Sequence, residues 1–206
     1  RLGWILMESP AVYLMLFFLI FFSNSLGIIE LTFTLIWMVH YIHRSFIWPI
    51  RAKLEGKRIT LLVVLLAAIF NIVNVYIQGS WIFNFGSYET EWFWSPFFII
   101  GLSIFLIGLY INIKSDNILI KLREKYGSGY HIPKGFLFNK ISSPNYFGEI
   151  LEWLGWFIMT LSPAGLVFFI WTMANLIPRA KSNHEWSIKN IEGYPNNRKK
   201  VIPYLY

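Results

Sequence analysis

Long apolar stretches alternate with short polar ones along the whole chain. Six of them reach or approach the length of a membrane-crossing helix, about 20 residues. They cover roughly residues 2–22, 26–41, 59–83, 92–113, 145–161 and 163–177, with a helical continuation of the last into the basic tail left open. Ser23-Asn24-Ser25 closes the first, and a basic segment, 51–58, follows the second, whose helix is expected to continue toward Ile50. A loop with Glu89 and Glu91 precedes the fourth, whose helix is expected to run on to about Arg123. A polar connection, 124–143, carries Gly127, Gly129, Pro133 and Gly135, and Ser142-Ser143-Pro144 breaks the chain before the fifth. The pattern predicts an all-α membrane protein, a polytopic bundle with six transmembrane helices in one domain, 1–206.

Some polar side chains stand where such helices tolerate them only for a purpose. Glu8 lies inside the first span, one turn after Trp4 on the same face. Asn145, Glu149 and Glu152 stand at i, i+4 and i+7 and share a face at the start of the fifth. Asn112, Asp116 and Arg123 share a face at the end of the fourth, at the same level. Arg179, Arg198 and Lys199-Lys200 add cations on that side. His40 and Tyr41 end the second span, a placement that an aromatic interface belt also explains, and Glu30 reads as interfacial. Amides and carboxylates suit the base and ribose edges of a nucleotide, and guanidinium groups suit its phosphates. There is no GxGxxG strand–helix unit and no P-loop. A dinucleotide would therefore be held by helices and loops, with the glycine-rich 127–135 stretch offering backbone donors.

Composition sharpens this picture. Hydrophobic residues make up 56% of the chain and charged ones 14%, with a mean hydropathy of +0.51. A soluble domain of this size rarely carries so much apolar matter. The absence of cysteine excludes disulfides, zinc–thiolate sites, iron–sulfur clusters and cysteine nucleophiles. Net charge is +7, and with six spans all 18 Lys and Arg residues fall on one side of the membrane. The positive-inside rule then places both ends of the chain in the cytoplasm.

The stretches INIKSDNILIKLR, GYHIPKGFLF, NYFGEILEWLGW, RAKSNHEW and YPNNRKKVIPYLY, in this order, resemble the C-terminal domain of the steroid 5α-reductase family. HYIHRSF, VYIQG and the Trp4–Glu8 WxxxE extend the resemblance over nearly the whole chain. The resemblance implies an NADPH-dependent membrane enzyme, a bacterial homologue, that reduces the 4,5 double bond of 3-oxo-Δ4-steroids. It implies a preceding helix, seven in all, since the chain opens at Arg1. It assigns 1–83 to the substrate side and 92–206 to the NADPH-binding half. Glu8 and Tyr41 fall on the pair that holds the steroid carbonyl, and Trp4 and Phe70 on the pocket lining. Asn112, Asp116, Arg123, Asn145, Glu149, Arg179 and Arg198 fall on cofactor-binding positions. His131, which stands where an Arg is usual, and His184, which keeps the second His of an HHEW-like run whose first is replaced by Asn183, are counted with the cofactor-binding positions.

The implied partners are a steroid or other lipophilic enone and membrane lipid, with no nucleic acid and no metal, and the chain is expected to act as a monomer. The implied location is a bacterial inner membrane, or the endoplasmic reticulum in a eukaryote, with the NADPH site facing the cytoplasm. Other readings remain at this point: a methyltransferase of the isoprenylcysteine carboxyl type using S-adenosylmethionine, a sterol or enoyl-CoA reductase, and a transporter with Glu8, Glu149 and Glu152 as an ion path. Glu8 and Tyr41 serve carbonyl reduction and have no purpose in methyl transfer.

Overall fold

Proline sets the first departure from the expected helices. Pro10 has no N–H to donate, and its ring clashes with the preceding turn. The first apolar run therefore divides at Ser9 into α1 (Leu2–Glu8) and α2 (Pro10–Phe21). The structure is a computed structural model that describes residues 1–22, 27–52, 59–127 and 129–206. The Ser23-Asn24-Ser25 break and most of the basic 51–58 segment lie outside the described residues. The chain forms two compact units, Arg1–Ser95 and Pro96–Tyr206. Among the described residues there is no strand, only an isolated parallel bridge between Ile141 and Lys199, and the all-α fold class holds.

In the first unit, α3 (Ile28–Ile42) continues through a π-helical stretch, His43–Ile47, into α4 (Trp48–Arg51). This is the continuation toward Ile50 expected from the sequence. α5 (Leu61–Ser80) is prolonged by a second π-helical stretch, Trp81–Phe85. Trp37 Nε1 donates to the Ala11 carbonyl at 3.0 Å, and Trp4 Nε1 to the Arg44 carbonyl at 3.2 Å. These two ties run in opposite chain directions. They lay α3 and its continuation antiparallel to α1 and α2. Gly79 on α5 makes room for Phe18 of α2, whose ring a Cβ there would meet at 2.6 Å.

In the second unit, α6 (Pro96–Tyr126), α7 (Pro144–Thr160) and α8 (Pro163–Asn190) follow one another. Four glycines set the α6–α7 contact. A Cβ on Gly108 would meet the Gly148 carbonyl at 2.6 Å, and one on Gly155 would meet the Gly101 carbonyl at 2.6 Å. Gly101 and Gly108 are seven residues apart, as are Gly148 and Gly155, so two antiparallel helices touch backbone to backbone along one seam. Leu161 ends α7 in the left-handed conformation, φ 42°, and Ser162 caps α8 by accepting from Gly165 N at 2.8 Å. α8 continues beyond its apolar stretch to Asn190, as the sequence allows, and the C-terminal tail packs back beside residues 140–143.

Among the described residues, three helical runs are long and apolar enough to cross a membrane: Leu2–Phe21, Leu61–Phe85 and Pro96–Tyr126. The other three expected spans are also helical, although α3 and α7 have 15 and 17 residues and α8 is more polar at its end. Leu61, Leu62, Leu65, Leu66 and Ile69 present an exposed apolar face on α5. In water that face is a liability, and in lipid it is solvated. The protein is a helical membrane protein.

Candidate functional site

The first unit builds one constellation around Glu8. Glu8 ends α1, half-buried, just where Pro10 interrupts the hydrogen-bond ladder. Asn71, on α5, reaches this break. Its Nδ2 donates to the Met7 carbonyl at 2.8 Å and to Glu8 Oε2 at 3.2 Å. One amide thus satisfies a backbone carbonyl at the break and fixes the carboxyl beside it. The antiparallel register of α3 sets Tyr41 level with Met7 and Glu8. Tyr41 is buried, stacked on Trp37 at 4.6 Å and met edge-on by His40 at 5.0 Å. Trp4 lies against Trp48 at 4.7 Å, and the Arg44 guanidinium sits over both rings, at 4.7 and 5.0 Å. Phe70 is half-buried beside Asn71 on α5.

The second unit builds another. The glycine seam lets α6 and α7 approach until Asn145 Nδ2 donates to Asp116 Oδ1 at 3.2 Å. Asn112 and Asp116 are both buried. Arg123 continues their face, Glu149 stands half-buried one turn into α7, and Glu152 is fully buried at the seam. Arg179 lies exposed on α8.

The tail supplies the rest. Ser142 N donates to the Lys199 carbonyl at 2.8 Å, and Lys199 N to the Lys140 carbonyl at 2.9 Å. This clip holds Arg198 inside the unit, 5% exposed. Its Nη2 donates to the Pro133 carbonyl at 2.8 Å, and its Cζ lies 5.1 Å from the Tyr194 ring. Its Nε and Nη1 are buried and make no hydrogen bond among the described residues. A buried guanidinium with two unsatisfied donor nitrogens and, among the described residues, no carboxylate partner is chemically suited to a phosphate. Nearby, the Tyr194 hydroxyl donates to Ser142 Oγ at 2.8 Å, and Ser142 Oγ lies 2.7 Å from His184 Nδ1. Ser142 thus links Tyr194 to His184, and the tautomer of the ring sets which atom donates in the contact to Nδ1. Burial, and then Lys200 and Arg198, push the His184 pKa below its ordinary value, against the opposing pull of Glu185.

His131 sits apart from this group. Its ring tilts onto Tyr126 at 4.9 Å, and its Nε2 is buried without a hydrogen bond among the described residues. Asn183 lies at the edge of hydrogen-bond reach of the Tyr146 hydroxyl, 3.5 Å. Asn71, Ser142 and Tyr194 are not among the residues expected from the sequence. For Asn71 a signal was present: Asn71, Asn74 and Gln78, at i, i+3 and i+7, form a buried polar stripe on an apolar span. Among the described residues, no three His, Cys, Asp or Glu side chains converge as a metal site.

The comparisons with known proteins bear on the whole of this arrangement. A family model described as 3-oxo-5-alpha-steroid 4-dehydrogenase matches residues 57–206. The chain is 44% identical, over its full length and 80% of the relative, to the protein named steroid 5-alpha-reductase DET2 of Solanum lycopersicum. It is 42% identical to the protein of the same name from Arabidopsis thaliana, over its full length and 81% of that relative. It is 40% identical to 3-oxo-5-alpha-steroid 4-dehydrogenase 1 of Homo sapiens, over 82% of this chain and 65% of that one.

Proposed function

This chain belongs to the 3-oxo-5-alpha-steroid 4-dehydrogenase family, and we propose that it reduces the 4,5 double bond of a 3-oxo-Δ4-steroid, or a related lipophilic enone, with NADPH as reductant. It is an oxidoreductase of a membrane. The observation that carries the reading is the similarity to steroid 5-alpha-reductases over the full length of the chain.

The residues support this chemistry. Hydride addition to the enone β-carbon builds negative charge on the carbonyl oxygen, and a donor held at that oxygen stabilises the enolate-like transition state. Tyr41 donates this bond, its ring fixed by Trp37. Glu8, in its protonated form and oriented by Asn71, is the second donor. The α-carbon proton comes from water or a nearby acid. Bound NADPH would supply the hydride. For that cofactor, Arg198 offers two buried donors suited to phosphate, with Arg123, Arg179 and His184 as further candidates. Asn112, Asp116, Asn145 and Glu149 offer the amide and carboxylate atoms that a carboxamide or ribose requires. In this reading the chain crosses the membrane several times and the cofactor residues face the cytoplasm.

The test is the purified protein with NADPH and a panel of progesterone, testosterone and an enoyl-CoA, with products identified by mass spectrometry. A saturated 3-oxosteroid is the expected product. Glu8→Gln and Tyr41→Phe should each lower turnover roughly 100- to 1,000-fold while NADPH binding holds. Full activity in both variants would remove these residues from the mechanism, and equal efficiency with NADH would refute the cofactor preference.

A further inference from the structure

The last turns of α6 and the segment after it enclose a recess of about 540 Å³, within the roughly 300–1,000 Å³ range of ligand clefts. Lys121, Lys125 and Lys134 stand on its lining, all three exposed. Ile118 and Leu122 form an apolar wall, and the Tyr126–His131 pair closes one side. Among the described residues, no ion pair engages any of the three lysines. Cations gathered on an apolar wall without carboxylates are complementary to an anion that carries hydrocarbon.

Two placements say which anion. Ile118, Lys121, Leu122 and Lys125 stand at i, i+3, i+4 and i+7, one face of α6. Asn112, Asp116 and Arg123 lie roughly half a turn away, so the recess opens on the side of α6 opposite the amide and carboxylate face. At 1.5 Å per residue, the 31 residues of α6 span about 46 Å, well beyond the roughly 30 Å of a bilayer's hydrocarbon. Its apolar part fills the hydrocarbon and its last turns stand at headgroup depth. Tyr130 and Trp186, ring centroids 4.3 Å apart and partly exposed, add the aromatic pair that favours this depth.

We propose that this recess binds the headgroup of an anionic phospholipid, with the lysines on its phosphate and Ile118 and Leu122 along the first carbons of its chains. The proposal does not depend on the reductase reading. The experiment titrates the full chain, purified in a neutral detergent, with phosphatidylglycerol and with phosphatidylcholine, and reads binding by native mass spectrometry. Phosphatidylglycerol is expected to bind more tightly, and Lys121→Gln combined with Lys125→Gln to weaken it roughly 10- to 30-fold. Lys134→Gln alone, on the far side of the recess, should weaken it to a smaller extent. Lys181→Gln combined with Lys189→Gln, which removes the same charge from α8, should leave it unchanged. Equal loss in that control would reduce the effect to general charge attraction and overturn the site. So would unaltered binding in the lysine variants, or displacement of the lipid by millimolar inorganic phosphate, which would mark a site for soluble anions. A parallel NADPH titration guards the assignment: a matching loss of NADPH affinity in the lysine variants would give the recess to the dinucleotide and refute the proposal.

Discussion

Asn71 and His184 show how single side chains set the chemistry of their neighbours. Asn71 holds both the Met7 carbonyl and Glu8 Oε2, so Asn71→Ala leaves a buried acceptor without its donor. A cost of about 1–3 kcal/mol in stability is expected, read by thermal unfolding in detergent. Turnover should fall as well, because Glu8 loses its anchor; a folded Asn71→Ala protein with unchanged turnover would make the amide purely structural. His184 lies beyond the apolar part of α8, at the end of the Tyr194–Ser142 hydrogen-bond chain. Its folded pKa is below the unfolded value of 6.5. The unfolded chain therefore takes up a proton first as pH falls, so the stability present above pH 6.5 is lost on acidification toward the folded pKa. His184→Asn should flatten the dependence of the unfolding midpoint on pH below about 6.5 and leave it unchanged above. A wild-type midpoint that rises on acidification, with the variant flat, would reverse the assigned sign.

At the scale of elements, periodicity revealed the helices better than their contacts. The carboxylate and amide face of α7 was legible because Asn145, Glu149 and Glu152 repeat at helical spacing. The ends were less so: α6 passes Arg123 to Tyr126, because the helix continues beyond the apolar stretch that signals it, as α8 does to Asn190. The break at Ser9 follows from Pro10, yet an unbroken apolar run on both sides conceals it. The α6–α7 seam was hidden for another reason. Glycine pairs seven residues apart matter only when a partner helix carries a matching pair, and a pairing is not a property of one segment. A Cβ on Gly108 would meet Glu152 N at 2.5 Å, and one on Gly148 would meet Asn112 N at 2.5 Å. These are backbone atoms, which yield only if the helix moves. Gly108→Ala and Gly148→Ala should each cost about 1–3 kcal/mol. Because each faces the other's carbonyl, the double variant should cost less than the two together, since one separation of the helices relieves both. Strict additivity in thermal unfolding would mean that the helices do not move as units.

The layout of the whole molecule is where charge and hydropathy speak together. Six crossings would place every Lys and Arg on one side, although among the described residues three helical runs are long and apolar enough to span by length and composition alone. Much of the candidate site was legible as polar residues out of place, such as Glu8 and Asp116. The tail's role was not, because the burial of Arg198 depends on the parallel bridge between Ile141 and Lys199, a contact between distant parts of the chain. The absence of cysteine makes the layout directly testable, since one introduced thiol is then the only one to react. Glu89→Cys lies in the loop before α6, Gly127→Cys just after it, and Asn196→Cys in the tail. Glu89 and Asn196 are exposed; Gly127 has φ +79° but open space for a side chain, so strain rather than collision is its only penalty there. If α6 crosses the membrane, a membrane-impermeant maleimide applied from one side labels position 89 or position 127, never both. With six crossings, positions 127 and 196 react together from the cytoplasmic side, where the cations gather. Labelling of 127 and 196 from opposite sides would show that α7 and α8 do not both cross. That outcome would divide the cations between two compartments, and with them Arg123 and Arg198, which the proposed cofactor site needs on the same one.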